Sequence, residues 1–356
     1  MRVGTAQLPL HYGKAPAWLF SRMKRLAAEI ASIIVAEHGG EDFLGRLSDP
    51  SWFQAFGCVL GFDWHSSGLT TTVCGALKEG LRDRSRELGI FVCGGKGAAS
   101  RRTPHEIESV GDARLVSTDP ALLIYASRMS AKVDSAALQD GYQLYHHCFI
   151  FTGGGRWAVI QQGMNTETRW ARRYHWRGDA AKDFVREPHS AVCCDHTSEV
   201  LNMIARESEG CRRASAALAA EEPVRVVADF EKAQRLRMPA RHSVSLQDIQ
   251  SKNLRKILEK TYERRPVGFE ELLGIEGVGP KTIRALALIS ELLYGAPVSL
   301  RDPVRFSFAH GGKDGHPYPV NRQEYDRSIH ILGEAVNQAK IGRTEKLQAI
   351  RRLKDF

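Results

Sequence analysis

The chain has 356 residues, 43% hydrophobic and 26% charged, enough for two or three domains with buried cores and unlike a disordered or fibrous composition. No run approaches the roughly 18 apolar residues of a membrane helix, and the opening MRVGTAQLPLHYGK lacks the apolar core of an export signal, so a cytoplasmic location is expected. A formal net charge of +9 suits a polyanionic partner, because each lysine or arginine set on a phosphate releases condensed counterion.

Residues 16–38 carry Leu19, Met23, Leu26, Ile30 and Ile33 at helical spacing, with Pro16 at the start and Gly39-Gly40 as the stop. A second helix is expected through SSGLTTTVCGALKEGLRDRSRELG to Gly89, followed by a short buried strand, IFVCGG. Residues 104–132 read as mostly helical, with Thr103-Pro104 as cap and first turn. LYHHCFIFT and RWAVIQQGM, joined by Gly153-Gly154-Gly155, have the aromatic and β-branched pattern of a hairpin. Beyond about residue 195 the strand signals stop. SEVLNMIARESEGCRRASAALAAEE and SLQDIQSKNLRKILEKTYERR read as helices flanking a brief strand-like VRVVADF, and 321–356 as one or two charged helices. The seven cysteines include no C-x-x-C pair, which argues against a disulfide framework or zinc ribbon.

These patterns predict an α+β protein. A mixed α/β domain over 1–190 precedes a helical connector over 191–265 and a mainly helical region over 266–356.

In the last region, GFEELLGIEGVGPKTIRALALISELLYG sets Gly277-Val278-Gly279 between a short helix and a longer one opened by Pro280. Glycines there permit positive φ and leave no side chain in the way; proline fits the first helical position. Backbone N–H groups at a helix start make an anion site, and Lys281 and Thr282 stand beside it. Amide contacts read phosphate and ignore the base, so DNA binding without sequence preference is expected. The stretch resembles the helix-hairpin-helix motif. Repair glycosylases of that superfamily place a lysine here, which attacks the sugar C1′, and an aspartate some twenty residues on. Lys281 and Asp302 match that spacing, although N-cap duty also accounts for Asp302.

The densest chemistry lies earlier. Lys132, Asp134, Asp140, His146 and His147 are the candidate catalytic residues, with Asp134, Asp140 and His146 as ligands for one Mg²⁺ or Mn²⁺ that activates water against a phosphodiester. Strand alternation sends His146 and His147 to opposite faces, and Gln161 and Gln162 likewise. WHSSGLTTT, CGGKGAASRRTP (Lys96, Arg101, Arg102) and CCDHTSE (Asp195, His196) are further candidates for phosphate or ligand contacts or helix caps. RWARRYHWRG interleaves Arg172 and Arg173 with Trp170, Tyr174 and Trp176, a pattern suited to stacking on unpaired bases.

GTAQLPLHYGKAPAWLFSRM, CGGKGAASRRTP, ASRMSAKVDSAALQDGYQLYHH, WAVIQQGMN and ARRYHW together resemble the family catalogued as domain of unknown function 763. That resemblance implies a ParB-like N-terminal part joined to helices and the hairpin. SSGLTTT stands where a ParB-type fold carries a histidine–arginine phosphate pair, so this sequence departs from ParB-type nucleotide binding. The resulting expectation is a structure-selective, metal-dependent DNA nuclease, with the hairpin on duplex backbone and a homodimer as a plausible assembly. The alternatives are a glycosylase/lyase using Lys281 and Asp302, or a DNA-binding module without catalysis.

Overall fold

The computed structural model describes residues 15–62, 67–181, 183–194, 196–235, 246–304 and 322–354, with only the backbone for 322–329 and 353–354. Helices α1 (Ala17–His38), α2 (Gly40–Ser48), α3 (Pro50–Leu60), α4 (Gly68–Leu81) and α5 (Ser85–Leu88) lead into strand β1 (Ile90–Lys96). Then come α6 (Ala98–Arg101), α7 (Thr103–Asp112) and α8 (Pro120–Lys132), which runs into a π-helical turn, Val133–Ala137. Strands β2 (Leu138–Gln139), β3 (Gln143–Thr152), β4 (Trp157–Asn165), β5 (Trp170–Arg177), β6 (His189–Cys193) and β7 (Leu201–Asn202) follow. The rest is helical: α9 (Glu209–Ala219), α10 (Pro223–Arg235), α11 (Ser251–Arg264), α12 (Phe269–Gly274), α13 (Pro280–Tyr294), α14 (Arg322–Gln338) and α15 (Arg343–Lys354).

The main sheet is antiparallel in the order β1-β3-β4-β5-β6, and β2 pairs separately with β7. Its two faces read directly from strand alternation. Cys148, Ile150, Ala158 and Ile160 point into a core shared with α1–α4, α14 and α15. Phe149, Phe151, Val159, Tyr174 and Trp176 point into a second core built with α7–α13. With both faces covered, the central strands carry almost continuous burial, and the hydrophobic effect holds helices to each side. The packing crosses the expected divisions at 190 and 265: Leu332, Val336 and Ala349, near the C-terminus, sit in the core of the N-terminal helices.

The fold is mixed α and β as expected, with corrections in detail. Gly39 ends α1 at φ +85°, but Gly40 opens the next helix. The expected long helix to Gly89 is broken into α4 and α5. VRVVADF is helical, inside α10. Val226, Phe230 and Ala233 are its buried apolar residues, a 4,3 spacing that outweighs the β-branched composition. Residues 198–208, expected helical, include β7 and a 3₁₀ turn before α9 begins. Residues 64–66 and Asp195 lie outside the described residues.

Candidate functional site

Helix α8 buries one stripe under the sheet, and that stripe is partly polar. Ser127, Ser130 and Asp134, spaced three and four apart, are all buried there. Asp134 sits in the π-helical turn, a distortion often found at functional positions. Its Oδ2 accepts from Gln161 Nε2 at 2.6 Å and Trp176 Nε1 at 2.9 Å, and its Oδ1 lies 2.5 Å from His189 Nε2. Gln161 also donates to the Ser130 carbonyl at 3.3 Å. Both of those partners can only accept, so the amide orientation is fixed with Oε1 toward His147 Nδ1, 3.0 Å away. His147 must therefore carry its proton on Nδ1, leaving Nε2 to accept from the Ser127 hydroxyl at 2.9 Å. Burial lowers the His147 pKa to about 4, which keeps the ring neutral at pH 7.

This relay ends at the wall of a cleft of about 620 Å³, within the usual range for ligand sites. Ser127, His146, His147, Gln161, Arg101, Arg128 and Lys132 line it, and no aspartate or glutamate is among the described lining residues. Arg101 and Arg128 are exposed. Lys132 is half-buried, and burial lowers its pKa. Both ring nitrogens of His146 are buried without a hydrogen-bond partner among the described residues. Burial, with Lys96 nearby, lowers that ring's pKa to about 3. Gly94 lets β1 approach: at φ +92° its Cβ would sit 2.2 Å from the His147 carbonyl oxygen.

The cleft adjoins the turn between α12 and α13. Gly274, the last residue of α12, lines it, and Lys132 Nζ donates to the Val278 carbonyl at 2.5 Å. Gln139 donates to the Pro280 carbonyl at 2.8 Å, so the turn is tied to the strip that carries Asp134. Gly277 takes φ +92°, whereas Gly279, expected to share that freedom, is extended at φ −141°. Gly279 offers no side-chain cap, so the N–H groups of Lys281 and Thr282 lack the partner an N-cap would provide. Val278 is buried while Gly277, Pro280 and Lys281 are exposed. Ile257 of α11 lies 2.9 Å from where a Gly277 Cβ would be, and Lys260 Nζ lies 3.9 Å from it. Lys260, which is exposed, thus sets a cation beside the turn.

Several expected site residues are placed elsewhere. Asp140 accepts from Arg172 at 2.9 Å, Tyr174 at 2.7 Å and the Tyr142 amide at 3.0 Å. Arg172 also reaches Asp302 at 2.8 Å and the His196 carbonyl at 3.1 Å. Arg173 is buried against Gln54 at 3.1 Å and the Phe53 ring. Neither arginine meets solvent, and Tyr174 and Trp176 are equally buried, so the expected stacking platform for bases is core except at Trp170, which is half-buried against the His196 ring. Asp302 bonds the Ser198 and Val304 amides besides Arg172, while Lys281 is held by the carbonyl and carboxylate of Asp248. Their spacing in sequence does not make them a pair. Thr70, in the proposed phosphate loop, is buried, and Thr71 donates to the Gly68 carbonyl. Lys96 lies over the Tyr145 ring, and Arg101 and Arg102 are exposed around the end of α6.

The expected metal ligands Asp134, Asp140 and His146 do not converge: no group of three or more His, Cys, Asp or Glu is arranged for a metal among the described residues. Mg²⁺ and Mn²⁺ require oxygen donors. The cleft supplies cations and imidazoles, and both aspartates already accept three hydrogen bonds each. The residues present do not fit such an ion, and no step is assigned to one. The seven cysteines are all buried, and none of them is in a disulfide.

Ser127, Arg128, Gln161 and His189 were not among the residues singled out for catalysis. The available signal was the 127, 130, 134 spacing, which puts three polar side chains on the buried stripe of one helix. Gln161 was legible only as one of a tandem pair. The register sets His147 opposite Gln161 and His146 opposite Gln162, so alternation separated the pairs as expected. Gln162 bonds the Ser67 carbonyl and the Tyr145 hydroxyl, away from the relay.

The family described as "Protein of unknown function (DUF763)" matches residues 4–320, and the chain belongs to it. No curated protein and no solved structure matches the chain. No helix among the described residues is long and apolar enough to cross a membrane.

Proposed function

We propose that the chain is a DNA-binding protein without sequence preference, and that the cleft beside the α12–α13 turn is where it cuts a phosphodiester. The observation that carries this reading is the adjacency of two phosphate-seeking features. One is an exposed, uncapped helix start in a glycine turn; the other is a cleft lined by Arg101, Arg128 and Lys132 with no carboxylate among its described lining residues. On this reading α12, the turn and α13 act as a helix-hairpin-helix. Their backbone amides take one phosphate, Lys260 extends the track, and the neighbouring phosphodiester enters the cleft. His147 is the proton acceptor there, since its Nε2 faces the cleft-lining Ser127 and its other nitrogen is held by Gln161. The cytoplasm is the proposed compartment.

The lyase alternative has less support, because Lys281 is paired with Asp248 and Asp302 with Arg172. The test is incubation of the full chain with labelled duplex, single-stranded, bubble and abasic DNA, with Mg²⁺, Mn²⁺ or EDTA. Cuts that persist in EDTA and vanish with His147→Gln are expected. An adduct trapped by borohydride would move the chemistry to Lys281. Binding with no product on any substrate would leave a binding module.

A further inference from the structure

Proton acceptance at His147 leaves the attacking atom unassigned, and water is the usual default. The relay points elsewhere. Because Gln161 Nε2 must face the Asp134 carboxylate and the Ser130 carbonyl, Gln161 Oε1 must face His147 Nδ1. His147 Nε2 is then a lone pair aimed at Ser127 Oγ, 2.9 Å away. Both residues line the cleft, with Arg128 one residue along α8 from the serine and Lys132 a further turn on. A hydroxyl held by a base, a base held by a third group and cations in the same wall are the parts of a nucleophilic site.

We infer that Ser127 is the nucleophile of this cleft and forms a phosphoserine ester with the substrate. This rests on the cleft being the site of phosphodiester cleavage. Ser127 Oγ bonds to phosphorus as the bond from phosphorus to one sugar oxygen breaks. The hydroxyl proton passes to His147 Nε2 and from there to the departing sugar oxygen. Water then attacks the phosphoserine ester, its proton taken by His147 and delivered to Ser127 Oγ as that oxygen leaves. The sum is hydrolysis of one phosphodiester to a monoester and a free sugar hydroxyl, and no oxidant, reductant or co-substrate is consumed. Arg101, Arg128 and Lys132 offset the charge on the non-bridging oxygens. Gln161 and Asp134 are positioning residues that hold the tautomer.

A small fluorophosphonate probe tests the serine without DNA. The full-length protein is treated with the probe and its labelled peptides are mapped by mass spectrometry, which needs no variant to fold. Labelling at Ser127 is expected, slowed about 100-fold or more by His147→Gln, the usual worth of a general base, and slowed by added single-stranded oligonucleotide. Gln161→Glu should shift the pH profile of labelling, which a merely structural role would not do. A protein that binds DNA but shows no label at Ser127 overturns the inference and leaves the DNA reading standing. Label at Ser127 that DNA does not slow keeps the nucleophile and overturns the DNA reading. An SDS-stable adduct between Ser127 and one labelled strand end in a single turnover is the expected companion result.

Discussion

Asp134 and Asp140 are close in sequence, equally buried, and end in opposite situations. Asp140 is closed on all sides: Arg172, Tyr174 and the Tyr142 amide take its oxygens, and Arg172 goes on to Asp302 and the His196 carbonyl. Asp134 is also fully accepted, but its chain of contacts runs through Gln161 and His147 to Ser127 at the edge of a basic cleft. One network joins protein to protein and fixes β5 to the segment that follows α13. The other ends on a hydroxyl in the wall of that cleft. Burial of polar groups does not mark a site; where the network terminates does.

The largest effect should come from breaking the closed network. Arg172→Met removes the cation that Asp140 and Asp302 share, and loss of one partner from a buried pair costs about 3–5 kcal/mol. Denaturant unfolding would show it as a lowered midpoint, and a change below about 1 kcal/mol would mean that Arg172 is not the anchor described. Asp134→Asn should cost less, about 1–3 kcal/mol for a disturbed buried hydrogen bond, and should lower cleavage far more than its stability loss explains.

Acid should act through the buried neutral histidines. His146 and His147 have folded pKa values lowered to about 3 and about 4, and burial holds His175 well below the ordinary value as well. The unfolded chain binds these protons near pH 6.5 and the folded chain does not. Their contribution is therefore intact above that pH and is lost as pH falls from about 6.5 toward 4, at up to about 1.4 kcal/mol per pH unit for each ring. His147→Gln should flatten the slope of stability against pH by one histidine's share, measured by unfolding between pH 7 and 5. Gly277→Ala comes next at about 1–2 kcal/mol, since φ +92° and the Ile257 side chain both oppose a Cβ. It should weaken binding to all DNA sequences alike.

Strand β1, the β3–β4 hairpin and the turn were legible in the sequence because their signals are local: the short apolar IFVCGG, aromatic and β-branched runs on either side of Gly153-Gly154-Gly155, and glycines followed by Pro280. What escaped was set at long range. Nothing near Leu332 or Ala349 says that α14 and α15 dock on α1 and α3. The pairing of Leu138–Gln139 with Leu201–Asn202 is carried by two short stretches far apart. Arg172 and Arg173 were misread for a related reason. Arginine interleaved with aromatics suits base stacking only on an open face, and β5 lies inside the sheet with helices packed over both faces. Lys281 and Asp302 had the right spacing, but the partners that claim them, Asp248 and Arg172, are distant in sequence or in another layer.

Arg101 and Arg128 give the smallest stability effect and the clearest functional one. Both are exposed, so alanine at either should change stability by no more than about 0.5 kcal/mol. The most direct measurement is the affinity of the full chain for random-sequence DNA across a salt series, for the native protein and for Arg101→Ala/Arg128→Ala. The prediction is a shallower plot of log affinity against log salt, by about 1.4 to 1.8 for the two lost phosphate contacts, and by the same amount on unrelated sequences. An unchanged slope, or a native protein that does not bind DNA at low salt, would contradict the account.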